Sequence, residues 1–425
     1  MTDSNRPVQH APSCDDDYQP DTLSVDAAWD RILQDITPVR GVERLPTRAA
    51  LGRILAEDIH STVNVPNSDN SAMDGYALRS GDLPTEGDTR LRVVGTVLAG
   101  HPYDQPLLPG ECLRIMTGAP MPAGADTVIP QEKVERQDDL IRIDSAHRAG
   151  QDVRAAGEDL AIGDRVLAAG SRVGVAELGM LGSLGLVEVS CRRRIRVAYF
   201  STGDELRSAG SALRPGDVYD SNRYTLHAVL TELGVEATDM GVVPDEPAAM
   251  EQAFADAAGF ADAILTSGGV SVGEADFVKD IMRRLGEVGF WKIAMRPGRP
   301  LAFGKIGRAR FFGMPGNPVS VVATWCQFVK PALRHLMGQT IRRPLSFRVR
   351  AAHDLRKRRG RTEFQRGILE RSADGELLVR TTGGQGSGIL SSVSLANCFI
   401  VLPHDADSAA AGEFVEVQPF HGVMG

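Results

Sequence analysis

The sequence has few cysteines and histidines, and none of them has the spacing that is usual for metal ligands or small disulfide frameworks. The 425 residues include five cysteines, far apart and without a C-x-x-C pair, and nine histidines without an H-x-x-x-H pair. We therefore expect reduced thiols and neither a disulfide framework nor a zinc site. The sequence shows no evident Ser-His-Asp or Cys-His set, and it lacks a G-x-x-x-x-G-K-[ST] motif, so an ordinary P-loop is excluded.

Long apolar runs and an excess of positive charge are also missing. No run of about 18 apolar residues occurs, and the N-terminus has no apolar signal-peptide segment. The formal net charge is −8, from 47 basic and 55 acidic side chains, which gives no overall attraction to nucleic acid or anionic lipid. We expect a cytoplasmic protein with neither a membrane nor a nucleic acid as partner.

What is present is a change of pattern along the chain. Residues 22–36 place apolar side chains on one helical face behind a possible cap at Ser24, and a second short helix is predicted over 47–57. From Pro66 to about 155 short β-like runs alternate with Gly and Pro, and residues 156–190 consist of loops and a short helix.

The rest of the chain predicts an α/β module followed by a second β module. From about 195, strands alternate with helices, including a helix that ends at Gly234, another over 275–285 and a long one from about Val319 to Leu336. This alternation predicts a parallel sheet, whose ligands bind outside the carboxyl ends of the strands. The last 80 residues return to β-like runs, which indicates a small sandwich or barrel.

Two polar segments follow strands of the predicted parallel sheet. In YFSTGDEL, Glu205 and its neighbours come after a buried strand; a polyanion site and a simple capping turn both fit this pattern. In TSGGVSVGEADFVKD, Ser267, Gly268 and Gly269 allow backbone N–H groups to turn towards a phosphate. Of the acids that follow, we interpret Glu274 as a helix cap and Asp276 as a functional residue.

Two further segments carry rigid loops that suit an anion. WKIAMRPGRPLAF groups Lys292, Arg296 and Arg299 beside Pro300; this is either an oxyanion site or a solvated basic turn. GMPGNPVS holds three further candidates at the start of the long helix: Pro315, Pro318 and Ser320.

Three polar residues in other loops, Asp74, Thr117 and Asp159, are singly no more than turn residues. Together the candidates are carboxylates, hydroxyls, basic side chains and Gly loops. That set suits Mg²⁺-assisted phosphoanhydride chemistry. The residues alone predict an α/β enzyme that acts on a phosphorylated small molecule.

Nine segments, in this order, resemble the molybdopterin molybdenumtransferase family, whose animal relative is the C-terminal part of gephyrin. They span about 22–423 and read DNSAMDGYA, RIMTGAPMPAGAD, GED, STGDEL, VYDSNR, TSGGVSVGEADF, RPGRP, MPGNPVS and QGSGILSS. Each segment is weak alone, but nine collinear matches are specific. The resemblance implies an elongated homodimer that takes adenylylated molybdopterin and molybdate, releases AMP and is supported by Mg²⁺. It also implies possible contacts with the adenylyltransferase and with molybdoenzyme apoproteins.

The same resemblance implies a multidomain α/β-plus-β fold with an α/β molybdopterin-binding domain. After a disordered tail (1–21), four domains are expected: a helical and extended linking domain I (22–62 and 156–194), a β-rich domain II (63–155), an α/β domain III with a parallel sheet (195–342) and a β-barrel-like domain IV (343–425).

Residue roles follow from the matching positions. Asp74 and Thr117 are expected to face the partner subunit's α/β domain, and Glu205, Asp245 and Asp276 to act at the phosphoanhydride and hold Mg²⁺. Substrate binding is expected from the residues Asp159, Ser267, Gly268, Gly269, Lys292, Arg296, Arg299, Pro300, Pro315, Pro318 and Ser320, with Arg366 and Ser391 closing the pocket.

Two departures from related sequences bear on the activity. Arg296 and Arg299 stand where this loop often carries lysines, which keeps the charge but changes the geometry towards an oxyanion. Val270 stands where the adenylyltransferase relatives read Gly-Gly-Thr-Gly, which argues against adenylylation. A non-catalytic scaffold and a tungsten-inserting enzyme remain as alternatives; the intact acidic set argues against the scaffold.

Overall fold

The first module begins with one helix that a side chain caps. The computed structural model describes residues 22–268, 281 and 284–420, so the predicted tail at 1–21 lies outside the described residues. Helix α1 (Val25–Asp35) starts where the Ser24 hydroxyl accepts a hydrogen bond from the Ala27 N–H, as predicted. Its face of Ala28 and Ile32 is buried in the core of the α/β module.

The second predicted helix is wrong beyond its first turn. After β1 (Val42–Pro46) the chain makes a 3₁₀ turn (Thr47–Ala50) and then becomes extended before β2 (Ile59–His60). Gly52 adopts a φ of +77°, and the N–H groups of Gly52 and Leu55 donate to the carbonyls of Val173 and Ser171. Pairing with a distant segment outweighs the local helix propensity of this Ala- and Leu-containing stretch.

The second module is built from β-strands, with short 3₁₀ turns at Ser80–Asp82 and Gln131–Lys133. Its strands are β3 (Asn70–Ser71), β4 (Gly75–Leu78), β5 (Asp88–Val97), β6 (Glu111–Ile115), β7 (Thr127–Pro130), β8 (Glu135–Gln137), β9 (Leu140–Asp144) and β10 (Val153–Arg154). Six of them form a sheet in the order β7-β4-β6-β5-β9-β8, and β3 pairs with β10. The loops that carry Asp74 and Thr117 adjoin two neighbouring strands of this sheet, β4 and β6.

The chain then returns to the first module through β11 (Arg165–Leu167), α2 (Val175–Ser183) and β12 (Glu188–Arg192). Strand β12 is antiparallel to β1, and β11 is antiparallel to β2. Arg193 then docks this linking module on the α/β module, since its guanidinium donates to both carboxylate oxygens of Asp262 at 2.7 Å. Arg310 and Asp35 make a second such link at 2.6 Å.

The third module alternates strands and helices as predicted. Its elements are β13 (Arg196–Thr202), β14 (Leu206–Arg207), β15 (Val218–Tyr219), α3 (Ser221–Leu233), β16 (Glu236–Val243), α4 (Pro247–Phe260), β17 (Ala263–Ser267), β18 (Gly286–Lys292), β19 (Met295–Arg296), β20 (Pro300–Ile306), β21 (Ala309–Met314), α5 (Pro318–Thr324) and α6 (Lys330–Leu336). Helix α3 ends at Gly234, whose φ is +79°. The helix predicted over 275–285 falls largely outside the described residues.

The sheet of this module is mixed rather than purely parallel. Its order is β16-β13-β17-β21-β20-β18, in which the first four strands are parallel and the last two are antiparallel to their neighbours. The long helix after β21 is divided into α5, a π-helical turn (Trp325–Val329) and α6. Pro331 lacks the N–H that an uninterrupted α-helix would use there.

The last described module closes on itself. Its elements are β22 (Phe347–Ala351), β23 (Thr362–Arg371), β24 (Leu377–Thr381), α7 (Ser391–Leu395), β25 (Cys398–Leu402) and β26 (Phe414–Pro419). The strands pair in the closed order β23-β24-β22-β26-β25-β23, which confirms the barrel-like prediction. Strand β19 of the α/β module pairs with β23, so the two modules share a sheet.

Candidate active site

The carboxyl edge of the mixed sheet brings the predicted loops together. In the parallel register, Ser201 of β13 pairs with Ser267 of β17, and Ser267 pairs with Met314 of β21. The segments that follow these strands therefore leave the sheet side by side. Strand β20 runs antiparallel to β21, so its first residue, Pro300, lies at the same edge. The antiparallel pair was not predicted, yet it is what places the basic loop here.

The loop after β17 is tightly packed. Ser267 is 2% exposed; its hydroxyl accepts a hydrogen bond from Asn222 Nδ2 at 2.7 Å and donates to the Pro315 carbonyl at 3.4 Å. Gly268 has a φ of +93°, and a Cβ there would lie 2.4 Å from the Thr202 carbonyl oxygen. Only glycine fits this position without strain. Four residues singled out from the sequence, Gly269, Val270, Glu274 and Asp276, lie outside the described residues.

The loop after β21 lies directly against it. The Gly316 carbonyl accepts a hydrogen bond from Asn222 Nδ2 at 2.6 Å, and Ser320 on α5 is 4% exposed. Pro315 is buried and Pro318 half-buried. The Val319 N–H donates to the Ser387 carbonyl of the barrel module at 3.1 Å. The barrel thus contacts the start of α5.

A charged network that was not predicted from the sequence extends from the buried Asp220 next to these loops to the exposed Asp239. Asp220 caps α3 and is 2% exposed; its Oδ1 accepts from the Ser201 hydroxyl at 3.0 Å and from the Arg223 N–H at 3.1 Å. Arg223 lies 3.3 Å from both Asp220 and Asp239. Asp220 and Asn222 stand in the segment VYDSNR, where an ordinary helix cap explains the residue types equally well. Their contacts with residues far away along the chain produce no pattern in the local sequence from which they could be predicted.

The predicted acidic residues that the structure describes are exposed at the same edge. Glu205 follows β13, and its carboxylate lies over Gly203, where a Cβ would come 2.7 Å from Glu205 Oε2. Asp245 follows β16, and its N–H donates to Asp204 Oδ1 at 3.3 Å. The turns after β13 and β16 are therefore in contact. Among the described residues, no three His, Cys, Asp or Glu side chains are grouped to hold a metal.

The basic loop between β18 and β20 is fixed at both ends. Lys292 pairs with Pro300 across the two strands, and the Ile293 N–H donates to the Arg299 carbonyl at 2.8 Å. Arg296 is paired in register with Glu363 of the barrel, and its Nη1 lies 4.0 Å from Glu363 Oε1. Glu363 is 4% exposed, so this carboxylate is buried beside the loop.

Arg366 brings a second, buried guanidinium to this region. It is 1% exposed, and its donors bind the Ser392 hydroxyl at 2.9 Å and the carbonyls of Gly386 and Gly384 at 3.1 and 3.4 Å. Burial, together with the nearby charge of Arg296, lowers the pKa of Arg366 to about 10. Ser391, which is predicted to close the pocket with Arg366, is exposed, and the serine that contacts Arg366 is its buried neighbour Ser392.

Asp74 and Thr117 form an exposed pair elsewhere. The Thr117 N–H and hydroxyl both donate to Asp74 Oδ1 at 2.7 Å, and these hydrogen bonds lower the pKa of Asp74. Asp159 is also exposed. Between residues 66–155 and the described parts of 195–420 we find no hydrogen bond or ion pair. Within one chain, Asp74 and Thr117 therefore make no such contact with the described part of the sheet edge.

The arrangement at the edge suits a ligand with phosphate or another oxyanion. Glycine-bearing loops after β17 and β21 lie between exposed carboxylates on one side and the guanidinium groups of Arg296 and Arg366 on the other. Buried guanidinium groups bind tetrahedral oxyanions through paired donors. Carboxylate oxygens are the ligands that Mg²⁺ prefers.

Three family models match the chain in succession. The model of the MoeA N-terminal region (domains I and II) matches residues 23–185, that of the probable molybdopterin binding domain matches 198–335, and that of the MoeA C-terminal region (domain IV) matches 348–420. Together they cover most of the described residues.

Curated proteins and a solved structure agree with these models. Molybdopterin molybdenumtransferase of Haemophilus influenzae is 43% identical over 95% of this chain and 100% of its own length. The enzyme of the same name from a Nostoc species is 37% identical over 87% of this chain and 86% of its own. The molybdopterin biosynthesis MoeA protein of Pyrococcus horikoshii has a TM-score of 0.81 at 29% identity, covering 94% of this chain and 100% of that one.

Proposed function

This chain belongs to the molybdopterin molybdenumtransferase family, and we propose that it transfers molybdenum from molybdate to adenylylated molybdopterin with release of AMP. Membership confirms the prediction from sequence that the chain is an enzyme of molybdenum cofactor biosynthesis. In the proposed reaction water attacks the phosphoanhydride and its bridging P–O bond breaks, which leaves AMP and the phosphate of molybdopterin. The two dithiolene sulfurs bind the metal, and one oxygen of molybdate leaves as water with the two thiol protons.

The observation that carries the proposal is the buried guanidinium of Arg366. Within the described part of the chain its hydrogen-bond partners are neutral: one hydroxyl and two carbonyl oxygens. Its nearby charged group is Arg296, which carries the same sign. A buried charge beside a like charge is costly, and a bound dianion would offset that cost. We therefore place molybdate between Arg296 and Arg366, close to Pro300 and Pro315.

The phosphates of the substrate are proposed to lie along the loops after β17 and β21. Gly268 turns the chain at the end of β17 with a φ of +93°, and its N–H is bonded to the Met314 carbonyl, so this loop is held at the sheet edge without a side chain. The Ser267 hydroxyl is buried and already makes two hydrogen bonds. We assign Ser267 to holding this loop rather than to binding a phosphate directly.

Magnesium is proposed to be held at the acidic side of the edge. Glu205 and Asp245 supply carboxylate oxygens on two turns that touch each other. Mg²⁺ usually takes one or two carboxylates and completes its coordination with water and substrate phosphates, so these residues fit it. When bound, the ion would neutralise charge on the phosphoanhydride. Asp276, the third predicted ligand, lies outside the described residues.

We also propose that two chains form each site. Asp74 and Thr117 are exposed and make no hydrogen bond or ion pair with the described α/β residues of their own chain. In the proposed dimer, this pair would contact the substrate that is bound at the sheet edge of the partner subunit. The homodimer, like contacts with an adenylyltransferase or molybdoenzyme apoproteins, remains a proposal.

The test is molybdate-dependent release of AMP. Purified protein is incubated with adenylylated molybdopterin and Mg²⁺, with or without molybdate, and AMP is quantified by chromatography. We expect AMP release to require both molybdate and Mg²⁺, and the product to activate a molybdoenzyme apoprotein. Equal AMP release without molybdate would refute the proposal. Adenylylation of molybdopterin from ATP would instead identify the upstream activity.

A further inference from the structure

The amide of Asn222 bridges the two loops that follow β17 and β21. Its Nδ2 donates to Ser267 Oγ at 2.7 Å and to the Gly316 carbonyl oxygen at 2.6 Å. These partners lie 45 and 94 residues away along the chain. Asn222 itself is in the first turn of α3 and is 9% exposed. One side chain on a helix thus connects two neighbouring strand ends.

The orientation of this amide is fixed by its partners. A carbonyl oxygen can only accept a hydrogen bond, so the nitrogen, not Oδ1, must face Gly316. Asn222 Oδ1 is then left buried and without a hydrogen-bond partner. An unpaired buried acceptor costs free energy. The fold tolerates that cost to present both N–H donors to the two loops.

The bridged loops lie almost in contact. A Cβ on Gly316 would be 3.9 Å from the Gly268 Cα, and the Gly268 N–H donates to the Met314 carbonyl at 3.2 Å. The Ser267 hydroxyl, which accepts a hydrogen bond from Asn222, donates one to the Pro315 carbonyl at 3.4 Å. The amide therefore sets the position of both loops and the direction of one hydroxyl.

We infer that Asn222 is a positioning residue, whose side-chain amide holds the Ser267–Gly268 loop against the Pro315–Gly316 loop at the separation that the substrate's phosphates require. This inference rests on the proposed function for its consequence in catalysis. The bridge acts before binding: without it, substrate must order the loops itself. That requirement would weaken binding and raise KM, while the rate from the bound state stays close to wild type.

The experiment compares Asn222→Ala and Asn222→Asp with Thr225→Ala in the full-length protein. The aspartate keeps the shape of the side chain but cannot donate to Gly316 when ionised. Thr225 is one turn further along α3 and its hydroxyl donates only to the Ser221 carbonyl, so its variant controls for changes in the helix. Three measurements are made: binding of AMP as the probe, which gives Kd; the kinetics of AMP release, which give KM and kcat; and hydrogen–deuterium exchange.

For both Asn222 variants we expect Kd and KM to rise roughly tenfold, the effect of losing about one net hydrogen bond. Amide exchange in peptides spanning 265–268 and 314–317 should accelerate, and kcat and the Thr225→Ala protein should stay near wild type. In the Ala background, adding Ser267→Ala should cost less than Ser267→Ala alone, because the two side chains act through one contact.

Two results separate this inference from the proposed function. Unchanged exchange in both loops, or KM unchanged with a fallen kcat, would overturn the role of Asn222. A wild-type protein that releases no AMP would refute the proposed function instead. In that case the exchange rates of the two loops still decide whether Asn222 holds them together.

Discussion

Replacing Arg366 tests the proposed oxyanion site most directly. Arg366→Met keeps much of the side-chain volume but removes a guanidinium that is 1% exposed and makes hydrogen bonds of 2.9, 3.1 and 3.4 Å. Those partners are one hydroxyl and two carbonyls, which would be left unpaired. Each lost hydrogen bond lowers the free energy of unfolding by about 1 kcal/mol net, and removing a buried charge offsets part of that loss. We expect a net loss of about 2 kcal/mol in stability.

The loss of free energy of molybdate binding should be larger than the loss of folding stability. Hydrogen bonds to a charged partner contribute about 1.5–3 kcal/mol each, so losing one paired contact costs about 3 kcal/mol. That corresponds to a rise of roughly a hundredfold in the KM for molybdate. Arg366→Lys keeps the charge but loses the paired N–H donors of the guanidinium, so we expect the KM for molybdate to rise roughly tenfold.

The assay is AMP release as a function of molybdate concentration, with thermal denaturation run on the same proteins. Ser392→Ala is the matched control, since it removes the Nε partner at 2.9 Å and keeps the guanidinium. It should cost about 1 kcal/mol in stability and change KM by only a few-fold. An Arg366→Met protein with a lower melting temperature but the wild-type KM for molybdate would show that Arg366 has only a structural role.

Three further outcomes are expected. Gly268→Ala should destabilise the protein by about 1–3 kcal/mol and weaken AMP binding, because its Cβ would lie 2.4 Å from a carbonyl oxygen; Gly316→Ala, with 3.9 Å of clearance, should be close to neutral by calorimetry. Asp262→Asn should lower the melting temperature at pH 7. Burial opposes ionisation of Asp262, but its arginine and backbone hydrogen bonds lower its pKa, so the difference from wild type should shrink only below about pH 4, which melting curves across pH can check. Asp74→Ala should fold normally yet release no AMP, and mixing it with Arg366→Met chains should restore part of the activity; no recovery in the mixed dimer would contradict a shared site.

Structural elements that depend on residues close to them in the sequence could be predicted. Ser24 caps α1 and Gly234 ends α3 as expected, because capping and a left-handed turn depend on residues within a few positions. The alternation from residue 195 likewise predicts the four parallel strands, and their order along the chain brings the loops to one edge.

Elements that depend on distant partners could not be predicted. Strand β18 contains Gly286 and Gly289, which are poor strand formers, yet a Cβ on Gly286 would lie 1.9 Å from the Lys305 carbonyl oxygen. The glycine is required by a partner strand that the local pattern does not reveal. The contact between Ser392 and Arg366 is similar: adjacent residues on a helix point about 100° apart, and only the packing shows that Ser392 meets Arg366.

Within the proposed site, the barrel module contributes Arg366 and backbone contacts with the neighbouring loops. Arg366 comes from β23, the strand with which β19 of the basic loop pairs, and the Thr362 N–H donates to the Ala294 carbonyl at 2.8 Å. Ser387 of the same module accepts a hydrogen bond from the start of α5. Both contacts are made by the backbone, so the barrel cannot tilt without moving the basic loop and the loop after β21. The region around Arg296 and Arg366 is therefore shared by the α/β and barrel modules, whose side chains also pack in one hydrophobic core.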